Sequence, residues 1–457
     1  MGHELLGLAP TSLPHPRVGR GLNGGRLGRT LDAPTNDGDP PSRAALPLLE
    51  DRTTRTALPF MRRFGVRAED RGFDTTSLDR EGDDDESERI RLGDSRDHPP
   101  DLKQVVVGVS ATLEEGVVVH GRLYPGNRAD STTTLETLTR LKELVPTAKR
   151  VLITTDRGMM TAPAVSTLLA QGESFIGTLD ATRAQLEVLR AIPDEAYVAS
   201  YSREGYRVAE SAVEIIDQSD KTAPRSATVR AVAVFAPGKA DRDRKARARA
   251  LSRIDRRLGE IVQKLGQRRY KSLAYAQSQV QGLFHGELRQ YRPLYAFEFL
   301  PGEEQGSVAG MVLSQDRVVY DRMRALDGRY FIITSMPPSY TADAVLDAYK
   351  RRDVCEQAMR IMKSDLKVRP IFLHNDNRVA ALAYITVFAL MVFTLLSALA
   401  KRLDLGTTAR HLFDRFWTVT FVKIRQLDGQ WLETYLNVDS AQLRVLQALG
   451  LPSIASP

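Results

Sequence analysis

Cysteine is nearly absent: Cys355 is the only one in 457 residues. That excludes an internal disulfide framework and any multi-cysteine zinc site, and it fits a reducing compartment, the cytoplasm by default. Aromatic residues are sparse at 7%, and the only two tryptophans are Trp417 and Trp431. A secretory leader is not expected, because Gly and Pro interrupt Leu5, Leu6 and Leu8 before they form an apolar run. Long hydrophobic runs are missing too, with one exception: 379–400 (VAALAYITVFALMVFTLLSALA) carries no charge and is about long enough to span a bilayer. It reads either as a membrane span or as the central helix of a large core. The lack of a second such run and the highly charged segment just before it favour the core.

What is present is the composition of a soluble globular protein, 42% hydrophobic and 26% charged, long enough for two or three domains. Lys and Arg exceed Asp and Glu by 64 to 57, a net charge of +7 that permits a polyanionic partner without requiring one.

Along the chain, 1–43 is rich in Gly, Pro, Arg and Asp without periodicity and reads as disordered or mis-framed. A short helix is expected at 44–64, then strands at 72–78, 104–113 and 116–124, with the acidic run 81–88 (EGDDDESE) as a solvated loop. A helix from Ser131 to Leu144 precedes the buried-type strand 151–155, which ends at Asp156; a helix at 163–170 and a strand at 174–179 follow. This order predicts a mixed α/β core whose first part is 44–179. The stretch 180–328 reads as an insertion domain of β-rich pieces around a charged helix, Lys239 to about Tyr270. Leu251, Ile254, Leu258, Ile261, Val262 and Leu265 form that helix's apolar stripe, while Arg242, Arg244, Lys245, Arg247 and Arg249 crowd its start. The basic face is either solvated and balanced by Asp241 and Asp243, or a phosphate contact. The segment 329–401 completes the core with the strand 330–334, a long helix from Thr341 to about Leu366 ended by Pro370, and the apolar helix. A C-terminal helical segment, 402–457, holds Trp417 and Trp431 as packing residues.

On the long helix Tyr349, Arg352, Glu356 and Lys363 fall within an arc of roughly 60° at about 100° per residue. Such a stripe is ordinarily a solvent face; this one sets a single carboxylate between cations and a phenol. A carboxylate ligates hard cations, and neighbouring Arg and Lys hold phosphates. One acid does not hold a catalytic metal alone. Asp74, within the strand FDTTSL, and Asp156, ending VLITTD, supply partners. Taken singly each Asp reads as a cap or turn residue; together the three carboxylates suit phosphoryl transfer assisted by divalent ions.

The spacing Tyr-x2-Arg-x3-Glu-x6-Lys resembles the YREK signature of the insertion-sequence-four-like DDE transposases of bacterial insertion sequences. DTTS at 74–77, SRDHPPDLKQ at 95–104, PGNRAD at 125–130, TDRGM at 155–159 and KSDLKVRPI at 363–371 agree with it in order, so the resemblance spans about 44–401. It implies an RNase H-like mixed sheet with flanking helices, interrupted by the insertion before the last catalytic helix. It also implies Asp74, Asp156 and Glu356 as catalytic metal ligands for two Mg2+ or Mn2+ ions, and Tyr349, Arg352 and Lys363 as contacts to DNA. The implied activity is cleavage of double-stranded DNA at transposon ends and joining of the freed 3′-ends to target DNA, by a homodimer in the cytoplasm, nucleoid-associated and without a membrane. The resemblance departs at the front, where 73 residues precede Asp74 and the family's end-recognition region is larger. The alternative expectation is therefore a truncated, non-functional transposase remnant that folds and binds DNA without transposing.

Overall fold

The computed structural model describes residues 45–67, 69–79, 89–93, 103–128, 130–144, 152–156, 158–366, 368, 370–373, 376–425 and 430–450. The segment 1–43, the acidic run 81–88 and the residues 95–102 of SRDHPPDLKQ lie outside the described residues. The chain divides into two units, one formed by Met1–Val151 with Arg352–Pro457, the other by Leu152–Arg351.

The first unit opens with α1 (Ala45–Arg63), β1 (Asp70–Asp79), β2 (Arg91–Leu92), β3 (Lys103–Thr112), β4 (Val118–Pro125) and α2 (Asp130–Leu144). β3 pairs antiparallel with β1 and β4, and β2 pairs with its beginning. Its run KQVVVGVSAT is buried from Gln104 onward, which explains a strand apolar on both faces instead of alternating. The second unit is continuous: β5 (Leu152–Thr155), α3 (Ala162–Ala170), β6 (Ser174–Gly177), α4 (Arg183–Ala191), β7 (Val198–Ala199), β8 (Arg207–Asp217), β9 (Arg225–Phe235), α5 (Pro237–Lys264), α6 (Leu273–Gly282), β10 (Tyr295–Pro301), β11 (Val308–Gln315), α7 (Arg317–Arg324), β12 (Arg329–Thr334) and α8 (Ala342–Arg351). The chain then returns to the first unit with α9 (Asp353–Ser364), α10 (Asp376–Arg402), α11 (Ala409–Phe416), β13 (Thr420–Arg425), β14 (Trp431–Leu436) and α12 (Ser440–Ala448).

In the first unit the apolar run forms α10, which packs on α1 and β4. By length and composition it would cross a membrane; here 56% of its most apolar window is buried. Its seat is close. A Cβ on Gly121 of β4 would stand 2.6 Å from both Val387 methyls, so only glycine fits that approach. Thr394 of α10 accepts a 3.0 Å hydrogen bond from the Val118 amide, pairing a donor that burial would otherwise leave costly. Leu78, Val109 and Leu390 are wholly buried in this core, each contributing about 1.5–3 kcal/mol of transfer free energy.

A polar cluster lies inside the same unit. The His120 ring is 2.8 Å from the Glu50 carboxylate, both buried, with Arg140 and Arg122 at 3.4 and 3.8 Å from that carboxylate. Burial pushes the His120 imidazole down from its ordinary value. For Glu50, burial pushes up, but the bond and charge of His120 with the two guanidiniums hold the carboxyl below its ordinary value. The pair ties α1 to β4.

In the second unit β5 and β6 are parallel, and β6, β12, β9 and β8 follow as antiparallel neighbours with β7 at the edge. Within the stretch read as an insertion, β8 and β9 therefore belong to the same sheet as β12, while the charged helix has a core of its own. Ile254, Leu258 and Ile261 of α5 cluster with Val280, Leu294, Tyr295 and Val308. Of the basic residues at the start of α5, Arg247 is buried and paired through both terminal nitrogens with Asp327, one of them donating to Oδ2 at 2.6 Å. Lys239 pairs with Asp243, and Arg244 with Asp241. Those cations favour the internally balanced reading over phosphate contact.

Two expectations need correction. The helix expected to be continuous from Thr341 to Leu366 is interrupted at Arg352, where α8 ends and α9 begins. The buried residues of α8 (Val345, Leu346, Ala348) lie in the second unit, those of α9 (Cys355, Ala358, Met359, Met362) in the first. The C-terminal segment, expected to be helical, contains the antiparallel hairpin β13–β14 between α11 and α12.

Candidate active site

Asp74 sits half-buried near the middle of β1, opposite Val109 of β3. Its Oδ1 accepts the Thr75 amide at 2.8 Å. α9 packs against β1 and β3, and the contact depends on a glycine. A Cβ on Gly72 would lie 2.9 Å from the Cys355 sulfur and 3.6 Å from the Arg352 Cα. Cys355 is wholly buried, and burial first, then the nearby Asp74 and Glu356 carboxylates, push its thiol far up, leaving it a protonated packing group. Asp74 and Glu356 thus share one neighbour, the thiol that seats the helix on the strand.

Glu356 itself faces outward, its side chain 54% exposed, with the Arg352 guanidinium 3.6 Å from Oε1. Arg352 is buried, and Lys363 lies half-buried in the last turn of α9. Acids in the first turn and a lysine in the last also complement the helix dipole, a role that needs no ligand.

Asp156 belongs to the second unit. It follows β5 directly, and Thr178 follows the parallel β6; because Thr155 and Gly177 are register partners, the two side chains leave the sheet side by side. Between them comes the hydroxyl of Tyr349 from α8, 3.1 Å from Thr178 Oγ1 and donating to Asp156 Oδ1 at 3.4 Å. These three line a cavity of about 450 Å³ together with Tyr206, Tyr330, Lys239, Arg242, Arg329 and Lys350. Burial, and then Tyr349 nearby, push the Tyr330 hydroxyl well up, so it stays protonated. Lys239 pairs with Asp243 and Arg329 with Asp194, so Arg242 and Lys350 supply the positive charge that makes the cavity attractive to anions.

The six residues expected to form the site are thus distributed as follows. Asp74, Glu356, Arg352 and Lys363 stand in the first unit, Asp156 and Tyr349 in the second. Asp74 and Glu356 both lie near Cys355, Asp156 and Tyr349 meet by hydrogen bond, and Arg352 flanks Glu356. Among the described residues no group of three or more His, Cys, Asp and Glu side chains forms a metal-holding cluster. Thr178, Gly72, Arg329 and Lys350 went unread in the sequence, while Arg242 was read only within the basic start of α5. The adjacent ends of parallel strands were the signal for Thr178, since such ends commonly carry ligand sites.

Comparison with known proteins adds the following. No curated protein matches the chain. Among solved structures, a cryo-EM structure of a piggyBac transposase synaptic complex with hairpin DNA is similar at 12% identity and a TM-score of 0.31, over 85% of this chain and 67% of that one. The model of the transposase DDE domain matches residues 103–392, a span that contains Asp156, Tyr349, Arg352, Glu356 and Lys363 and begins after Asp74. With well over half its length inside that match, the chain belongs to the transposase DDE domain family.

Proposed function

We propose that the protein is an insertion-sequence transposase of the insertion-sequence-four-like group, which cuts double-stranded DNA at transposon ends and joins the freed ends to target DNA. The observation that carries this reading is the DDE-domain match over 103–392, which contains two of the three expected acids and all three expected DNA contacts. The mixed sheet would be the RNase H-like core. Asp74, Asp156 and Glu356 would hold two Mg2+ or Mn2+ ions; three carboxylates are hard oxygen donors of the kind those ions take. Bound there, the ions supply Lewis acidity to the scissile phosphate and activate the attacking oxygen.

The chain's own residues do the rest. Tyr349 fixes the Asp156 carboxylate through its hydroxyl, beyond the DNA contact expected of it. Arg352 holds Glu356 against the close-packed start of α9, and Lys363 offers a cation to the DNA backbone. The cavity cations Arg242 and Lys350 draw phosphate toward Asp156. The protein acts as a homodimer, one protomer for each transposon end, in the cytoplasm at the nucleoid, with α10 as a core helix and no membrane.

The test is end cleavage with Mg2+, on duplexes carrying the inverted repeats that flank the reading frame. Asp74→Asn, Asp156→Asn and Glu356→Gln should each lower cleavage by about a thousandfold, the upper range for losing one charge-stabilising group, while DNA retention and folding persist. Near-normal cleavage by any of the three removes that residue from the metal set.

A further inference from the structure

Both tryptophans lie in the last part of the first unit, and Trp431 stands on an exposed sheet face. In the β13–β14 register Phe421 faces Tyr435, Lys423 faces Glu433 and Arg425 faces Trp431. Directly opposed residues share a face of an antiparallel pair, so three aromatic rings and two cations line one side of the hairpin. Trp431 is 63% exposed and Tyr435 37%, with Lys423 and Arg425 exposed and Phe421 half-buried. The rings form a platform: Phe421 and Tyr435 lie 5.1 Å apart at a 52° tilt, and Lys423 Nζ stands 5.8 Å over Phe421. The other face holds the half-buried Val422 and Leu432 and the buried Thr434, with Ile424 and Leu436 more open.

We infer that this face binds single-stranded DNA, stacking unpaired bases on Trp431 and Tyr435 while Arg425 and Lys423 contact the phosphates. An exposed indole at the turn end of a two-stranded sheet, with two further aromatic rings on the same face, marks an interaction site. The two cations disfavour an apolar protein surface as the cover and complement a polyanion. Rings alternating with cations are the arrangement that holds an unpaired strand, because every base offers a π-face and every nucleotide a charge. A duplex keeps its bases stacked on one another and offers the rings nothing. Arg425 pairs with Trp431 in the register and is the cation that the salt dependence tests. The inference is independent of where the catalytic metal sits.

Intrinsic fluorescence reads this directly, since Trp417→Phe leaves Trp431 as the sole tryptophan of the full-length protein. Titration with a 20-nucleotide oligo-dT should quench Trp431 emission in parallel with binding seen by anisotropy, and the matching duplex should not. Trp431→Ala should weaken oligo-dT binding about tenfold with duplex affinity unchanged, and Trp431→Phe, which keeps a ring, should retain most of it. Arg425→Ala should lower the salt slope for the single strand by about 0.7. Oligo-dT bound without quenching, or with equal affinity in Trp431→Phe and Trp431→Ala, overturns the inference. So does a Trp431→Ala protein that sediments as a smaller species, because the face is then an interface between copies.

Discussion

The two units hold their acids by different means. In the first, Glu356 reaches the neighbourhood of Asp74 through apolar close packing: a helix seated on a strand by a buried thiol against a glycine. In the second, Asp156 is held by a phenol that also touches Thr178. Close-packed seats respond to volume, because cores at crystal-like density have nowhere to put an extra carbon. Hydroxyl-held groups tolerate volume changes nearby and respond to the loss of one oxygen. The proposed acids can therefore be disturbed in two physically distinct ways, one for each unit.

The largest expected effect on stability is at the tight seat. Gly72→Ala should cost about 1–3 kcal/mol of stability by overpacking against Cys355, and cleavage should fall with it as α9 is pushed off β1. The double variant with Cys355→Ala should recover most of both. Thermal unfolding with the cleavage assay checks this, and a silent Gly72→Ala would mean that the seat is not tight.

Acid should separate the units next. With His120 held below its ordinary 6.5 and Glu50 below its ordinary 4.5, the folded chain binds fewer protons than the unfolded one across that range. Stability from this pair is complete above pH 6.5 and is lost progressively as pH falls through it. Segment-resolved hydrogen exchange should show α1 and β4 loosening before β8 and β9, and His120→Gln should flatten the dependence. Equal loosening of both units on acidification would break the comparison.

A smaller effect is expected at the hydroxyl. Tyr349→Phe should slow cleavage by up to about tenfold, the worth of one hydrogen bond, with stability and DNA affinity nearly intact. If affinity falls and single-turnover cleavage does not, Tyr349 is a DNA contact alone. The smallest is Lys363→Ala, which should weaken binding alike across sequences and lower the salt slope by about one, read from binding isotherms at several salt concentrations. An unchanged slope returns Lys363 to helix-dipole service.

Much of this architecture was legible beforehand. LITT is β5 and YFIIT lies in β12, the valine run is β3, and Thr341 does begin a helix, accepting the Ala344 amide at 3.2 Å. These features are local, set by propensity, alternation and capping. The interruption at Arg352 was not legible, because every residue from Ala342 to Ser364 suits a helix and only the change of buried partner between α8 and α9 marks the break. The Gly72–Cys355 contact and the His120–Glu50 pair were hidden for the same reason: their partners lie 283 and 70 residues apart, and no pattern within a window spans that distance. Asp156 was found as a strand end, whereas its hold by Tyr349 came only with the pairing of β5 and β6.

The place of α10 in the chain bears on how the protein is made. Its packing partners α1 and β4 leave the ribosome first, and the whole 200-residue second unit is translated before α10 appears. At the usual pace of synthesis that interval is roughly 10–40 s, during which β3 and β4 wait without their cover. The continuous second unit has its sheet partners in hand and folds as it emerges, while the first unit closes only after α10 is delivered. Nascent first-unit strands are therefore the clients that a holding chaperone would bind, and slow translation through the second unit lengthens their exposure.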